Sequence, residues 1–143
     1  MVTFKKIHGT EQDVKVLYDL LSKRRYSISH GAMPNIASHR SFVRDNPYRE
    51  WFLVKHDKAY IGSFYLTHEN HISISLLPKY YDKFRDVLTW IMKTFPVLPE
   101  VKSVRPPSYQ MNVPIADYEL LNILDQIGFK KIQVTYTLET PNE

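Results

Sequence analysis

The sequence predicts an α+β domain with a mixed central sheet whose second to fourth strands are antiparallel and flanked by helices, and three observations carry that expectation. Residues 51–77 (WFLVKHDKAYIGSFYLTHENHISISLL) hold three runs rich in β-branched and aromatic residues, separated by His56-Asp57-Lys58 and His68-Glu69-Asn70. Short polar breaks of that kind are hairpin signals, so strands are expected at 51–57, 59–67 and 71–77. The last run alternates Ile72, Ile74 and Leu76 against Ser73 and Ser75, which requires one face of the sheet to be covered. The flanking segments keep helical spacing and can supply the cover.

Taken in order, Val2 to Ile7 alternates as a first strand. Thr10 reads as an N-cap, with Glu11 and Asp13 in the first turn of a helix whose apolar face is Val14, Leu17, Tyr18 and Leu21 and which runs to about Arg25. The cations Lys23, Arg24 and Arg25 close it. Residues 26–35 form a polar, Gly- and Pro-marked loop, and a short helix over 36–44 is stopped by Asp45-Asn46-Pro47. After the three central strands, a turn over 78–81 leads to a helix capped by Asp82 and faced by Phe84, Val87, Leu88, Ile91, Met92 and Phe95, ended by Pro96. Residues 97–107 are a proline-rich connection, with short strands expected near 102–104 and 109–112. Asp117 caps a last helix faced by Leu120, Leu121, Leu124 and Ile127, Gly128 supplies the left-handed C′ residue, and 130–138 alternates as a final strand. The expected organisation is one domain over 1–139 with a disordered tail at 140–143.

Composition narrows the class. With 143 residues, 43% of them hydrophobic and 13% aromatic, the chain can bury one core. The absence of cysteine excludes a disulfide framework, thiolate-ligated zinc and a thiol nucleophile, and fits a reducing compartment. No apolar run reaches the roughly 18 residues of a membrane span, and the first residues lack the apolar core of a secretory signal, so a cytoplasmic protein without a membrane partner is expected. A net charge of +4 suits an anionic small ligand better than a nucleic acid.

The order β-α-α-β-β-β-α-β-α-β, together with the stretches RRYSISH (24–30), NPYREWFLV (46–54), AYIGSFYL (59–66) and IGFKKIQVTYTLE (127–139), resembles the GNAT superfamily of N-acyltransferases. Within it, those stretches are similar to a small bacterial and phage group associated with sugar or surface-polysaccharide loci. The resemblance implies a GNAT-like α+β fold, acetyl-CoA as acyl donor and a small-molecule amine as acceptor, an amino-sugar nucleotide being one candidate. It also implies coenzyme contacts along the third central strand and the following helix start, at Ser73, Ser75, Leu76, Leu77, Lys83, Phe84 and Arg85. Members of the family usually hold the coenzyme pyrophosphate in a Gly-rich turn, where bare backbone N–H groups close on the phosphates. Here no glycine stands between Gly62 and Gly128, and Asp82 places a carboxylate in the corresponding segment. Weak or displaced binding of acetyl-CoA is the expectation.

Amine acylation also needs a base near the acceptor and an acid for the leaving thiolate. His30, in the loop that shapes the acceptor site in this fold, is the expected base; Glu69, His71 and water held by Ser73 or Ser75 are alternatives. Family members often carry a tyrosine five positions before the phenylalanine of the closing Gly-Phe, but that position is Leu124. Tyr118, earlier on the same helix, is the remaining phenol. His68 and His71, three residues apart with one carboxylate nearby, are a poor metal set, and no metal is expected. Arg40, Arg44 and Arg49 read as a solvated face. Three functions follow in order: an N-acetyltransferase; a GNAT-fold binding or partner module that has lost acetyl-CoA; and, last, a nucleic-acid binder using Arg24, Arg25, Tyr26, Tyr80, Tyr81, Lys83 and Arg85.

Overall fold

The structure, a computed structural model, describes residues 1–24 and 33–140. Strand β1 (Val2–Lys6) is followed by helices α1 (Glu11–Ser22) and α2 (Ile36–Asp45), then by strands β2 (Glu50–His56), β3 (Ala59–Leu66) and β4 (Ile72–Leu76). A 3-10 turn (Pro78–Lys83) runs into α3 (Phe84–Thr94), and α4 (Tyr118–Ile127) is the last helix. The four strands make one antiparallel sheet in sequence order. The central strands lie within one residue of the sequence expectation at each end, because polar hairpin residues and apolar alternation mark strand limits directly. At the first hairpin Asp57 takes a left-handed backbone (φ 55°), a conformation that a short polar side chain tolerates.

Alternation along the strands builds two cores. Trp51 and Leu53 of β2 face one side, where Val14, Leu17 and Leu20 of α1 and Val43 of α2 cover them. Val54 of β2, Phe64 and Leu66 of β3, and Ile72, Ile74 and Leu76 of β4 face the other side, under Phe84, Val87, Leu88 and Ile91 of α3 and Leu120 and Leu124 of α4. One irregularity breaks the alternation. Val54 pairs with Gly62 and Lys55 with Tyr60, so Ile61 is an extra residue in β3, a bulge that turns its side chain into the second core. Gly62 follows because β4 passes too close for a side chain: a Cβ there would collide with the Ser75 carbonyl oxygen and lie 2.7 Å from Leu76 Cδ2.

The helix ends follow their capping residues. Thr10 and Asp13 form a reciprocal capping box at the start of α1, and Asn35 accepts from the Ser38 N–H at the start of α2. Asp117 Oδ1 accepts from the Leu120 N–H, and Gly128 closes α4 at φ 111°. Helix α1 ends at Ser22, with Lys23 as its C-cap.

Three expectations need correction. Asp82 does not cap α3: it lies inside the 3-10 turn, which passes continuously into the helix with no side-chain cap. The stretches expected as strands near 102–104 and 109–112 are reduced to single bridges, Val101 with Arg105 and Gln110 with His71. Residues 130–138 pair with nothing among the described residues and are exposed throughout. In each case a correct local pattern lacked the partner that would turn it into the expected element. The tail expected at 140–143 lies outside the described residues apart from Thr140.

Candidate active site

The ladder between β3 and β4 determines which backbone groups of β4 are free. Thr67 N–H donates to His71 O and Leu77 N–H to Ile61 O, which places His71, Ser73, Ser75 and Leu77 on the hydrogen-bonded side toward β3. The N–H and C=O groups of Ile72, Ile74 and Leu76 therefore point to the other edge. There the chain 109–113 arrives parallel and makes one bridge: Ile72 N–H donates to Gln110 O at 2.8 Å, and Gln110 N–H to Asn70 O at 3.0 Å. The next rungs of a parallel ladder, between Asn112 and the groups of Ile72 and Ile74, are not formed among the described residues. Among the described residues the sheet splits at this point, and the Ile74 and Leu76 backbone faces the resulting notch without a strand partner.

Asn70 and Tyr109 hold the split in place. Asn70 is fully buried at φ 68°, and its side chain bonds the carbonyls of Leu98 and Pro106 and the N–H of Leu98. Tyr109 donates its hydroxyl to Phe95 O at 2.7 Å. The proline-rich connection is thereby tied to both β4 and α3, and 109–113 is delivered at a defined angle.

One face of the notch is polar. His71, Ser73 and Ser75 share a side of β4, and Gln110 and Asn112 share the matching side of the facing stretch. Asn112 Nδ2 stands 3.4 Å from His71 Nδ1. The pair is chemically useful in one amide orientation: with the Asn112 carbonyl oxygen turned to Nδ1–H, the imidazole carries its lone pair on Nε2 and can take a proton. Tyr65 lies opposite Ser73 on β3, stacked on Tyr48 at 3.7 Å, and Tyr48 meets Trp51 edge-on. Burial, with Tyr65 alongside, holds the Tyr48 phenol well above the usual tyrosine range, so it stays protonated. Arg24 is half-buried near Tyr65, and burial draws its pKa down while Tyr65 opposes the shift.

Tyr81 Oη donates to Asp117 Oδ2 at 2.8 Å, joining the 3-10 turn after β4 to the N-cap of α4, with both residues buried. Sequence reading took Asp117 only as a cap and missed this pair, as it missed Asn112 and the Tyr48–Tyr65 stack. Nothing in residue spacing signals them, because each joins segments distant in the chain.

The residues expected to hold coenzyme fall into different settings. Ser73 and Ser75 line the polar face, and Leu76 offers its backbone to the notch. Leu77 has its N–H bonded to Ile61 O and its carbonyl to Tyr80 N–H, so its backbone is committed. Phe84 is a core residue, 2% exposed, and its N–H donates to Tyr81 O. Lys83 Nζ lies 3.7 Å from Asp82, and the Arg85 guanidinium donates to Gln126 Oε1 at 3.1 Å. Arg85 also opens a groove of about 400 Å3 between α3 and α4, with Leu88, Thr89, Met92, Lys93 and Ile127. Tyr118 opens α4 and is 77% exposed. His30 lies outside the described residues. No group of three metal-ligating side chains occurs among the described residues, and no helix there is long and apolar enough to cross a membrane.

The overall architecture of the chain recurs among solved structures. A ribosomal-protein-alanine N-acetyltransferase from Brucella melitensis superposes with a TM-score of 0.64 over 98% of this chain and 100% of its own, at 12% identity. A GNAT-family acetyltransferase from Streptococcus pneumoniae gives 0.56 over 100% of both chains at 15% identity. The fold is that of the GNAT acetyltransferases. A third neighbour with this GNAT fold, AAC(6')-Iy in complex with the bisubstrate analog CoA-S-monomethyl-acetylneamine, gives 0.61 over 99% of both chains at 9% identity. No family model matches the chain, and no curated protein matches it in sequence.

Proposed function

We propose that the chain is an N-acetyltransferase that moves an acetyl group from acetyl-CoA to a small amine, with the notch beside β4 as the reaction site. The observation that carries this reading is the split after the His71–Gln110 bridge, which leaves the Ile74 and Leu76 backbone without a strand partner among the described residues. A chain bearing amides, such as the pantetheine arm of coenzyme A, fits such an edge as an added strand would. The thioester supplies the activated acyl group. In this reading the Ile74 N–H donates to the carbonyl oxygen as negative charge develops on it. His71, oriented by Asn112, takes the proton of the acceptor ammonium on Nε2. The amine nitrogen then bonds the carbonyl carbon, the C–S bond breaks, the thiolate takes the proton of Tyr118, to which we assign that role, and the proton shed by the nitrogen as the amide forms returns through water to the phenolate.

The acceptor lies on the face of Tyr48, Tyr65 and Ser73, whose aromatic rings and hydroxyls suit a polyhydroxylated amine such as an amino-sugar nucleotide. The neighbours include an enzyme captured with an acetylneamine analog and a spermidine N-acetyltransferase chimera, which supports a small polyamine or aminosugar as the acceptor class. The phosphate end of the donor fits less well. The start of α3 offers no Gly-rich ring of N–H groups, and Lys79, Lys83 and Arg85 are the cations nearest to it in the chain.

The second reading, a GNAT-fold binding module that does not use acetyl-CoA, is favoured by one observation: the 3-10 turn already uses the Phe84 N–H. Incubation with acetyl-CoA and a panel of amines, following thiol release, separates the two. Thiol release that requires an amine supports transfer. Its absence across polyamines, aminoglycosides and amino-sugar nucleotides, with no thermal shift from millimolar acetyl-CoA, overturns it.

A further inference from the structure

The acceptor face assigned above is bordered by a cation and by strands without carboxylates. Leu17 and Leu20 of α1 pack in the same core as Trp51 and Leu53, and Tyr48 and Tyr65 lie against that core. Arg24 stands four residues beyond Leu20, just past the C-cap of α1, and its N–H donates to Leu21 O at 3.4 Å. The helix therefore delivers the arginine to the side of the sheet that carries Tyr65, with Ser73 opposite Tyr65 on β4. Half-burial beside Tyr65 sets this guanidinium apart from Lys23, which is exposed and paired with Asp19 at 2.9 Å.

The acids nearby are engaged elsewhere or stand off the face. Glu11 meets Arg40 at 2.9 Å and Arg44 at 3.6 Å, and Asp13 accepts the His8 N–H at 2.8 Å with Lys5 at 3.6 Å. From Leu20 to Arg44 the sequence contains no Asp or Glu, and neither do β3 and β4. Asp45 and Glu69 are exposed, at the end of α2 and in the turn before β4. Ser63, Tyr65, Ser73 and Ser75 offer this face neutral hydroxyls. A polyamine laid there would give up hydration of several ammonium groups with no strand carboxylate to replace it. A ligand with an acid group gains a charge-assisted and bidentate partner instead. The carbonyl end of α1 opposes an anion with roughly half a unit of negative charge, less than the full charge of the guanidinium.

We infer that the acceptor is an amine that also carries a phosphate group, with the phosphate on the Arg24 guanidinium, the body of the molecule along the Tyr48–Tyr65 stack and the amine at His71. Strand spacing sets the span. His71 and Ser73 are two residues apart, about 7 Å along β4, and β3 with Tyr65 lies about 5 Å to the side. An α-amino acid, whose amine and carboxylate share one carbon, is too short to reach both ends, whereas a phosphate across a sugar ring from the amine spans them. Calling this ligand the acceptor rests on the acetyl-transfer reading of the notch; the anion site itself does not.

Calorimetry without acetyl-CoA, using glucosamine, its 1- and 6-phosphates and spermidine, tests the charge preference apart from the chemistry. At least one phosphate should bind about 10-fold or more tightly than glucosamine, and Arg24→Gln should bring them within about threefold. Arg24→Lys should keep part of the preference, since it retains the charge and loses the fork. Circular dichroism checks that both variants keep the fold. In a thiol-release assay with acetyl-CoA, Arg24→Gln should raise KM for the phosphorylated sugar and leave its kcat nearly as it was. No heat from either phosphate at millimolar concentration, tighter binding of spermidine, or a phosphate preference that survives Arg24→Gln overturns the inference, and thiol release with another amine would then leave the acetyltransferase reading intact. A phosphate preference lost in Arg24→Gln without any thiol release supports the anion site and overturns the transfer reading alone.

Discussion

Tyr81 donates its hydroxyl to Asp117 across 2.8 Å, and that bond connects the turn leaving β4 to the first turn of α4. Asp117 Oδ1 caps the Leu120 N–H, so the carboxylate has both oxygens engaged while 2% exposed. Removing the phenol leaves a buried acceptor short of a partner, and a hydrogen bond to a charged group contributes about 1.5–3 kcal/mol. Tyr81→Phe should lower unfolding stability by that amount in a urea titration with an unchanged slope. Unaltered stability would mean that water replaces the hydroxyl without loss.

His71 acts as the base only if Asn112 sets its tautomer. His71→Ala should reduce turnover by roughly 100-fold or more, in the range of a lost general base, with little change in melting temperature. Asn112→Ala should give a smaller loss and alter the acidic limb of the pH–rate profile, since the orienting amide acts through the imidazole. The competing assignment is His30, so His30→Ala belongs in the same assay. If His30→Ala abolishes turnover and His71→Ala leaves it intact, the base is His30.

Coenzyme affinity should be low. The Phe84 N–H, which a phosphate would need, is bonded to Tyr81 O, and Asp82 adds negative charge beside Lys83. Calorimetry with acetyl-CoA, desulfo-CoA and free CoA should give dissociation constants weaker than about 10 μM, corresponding to roughly −7 kcal/mol. Arg85→Ala should weaken all three ligands alike. Tighter binding would show that the notch edge and the α3–α4 groove hold the donor without a glycine turn.

Acid should loosen the contact between α1 and α2 through His39. Burial lowers the pKa of this imidazole, the Val14 carbonyl at 3.1 Å raises it, and Arg40 lowers it again, for a net decrease from 6.5. The fold thus favours the neutral ring: the stabilisation is present above about pH 6.5 and is lost as pH falls through the depressed folded-state value. Urea titrations from pH 7 downward should show stability falling first in this window, and His39→Gln should flatten that slope. Asp13 acts lower on the scale. Burial raises its pKa, but the His8 and Thr10 N–H groups and Lys5 outweigh that effect, so its contribution is lost only as pH falls below 3.8.

What the sequence alone determined was everything set by neighbours along the chain. The three central strands, the caps at Thr10 and Asp117 and the left-handed Gly128 were legible because alternation, capping chemistry and backbone freedom are local. The absence of glycine between 62 and 128 was likewise plain in the sequence, and the turn after β4 contains none. Only the tertiary structure decided which partners the local patterns met. The stretch at 109–112 read as a strand but keeps one bridge, because Asn70 and Tyr109 fix the angle at which it leaves β4. Residues 130–138 alternate as a strand should, yet a strand exists only when an edge accepts its hydrogen bonds, and no edge of this chain does so among the described residues. His71 and Asn112, 41 positions apart, become a pair only where two edges approach and then separate, and no spacing in the sequence encodes that distance.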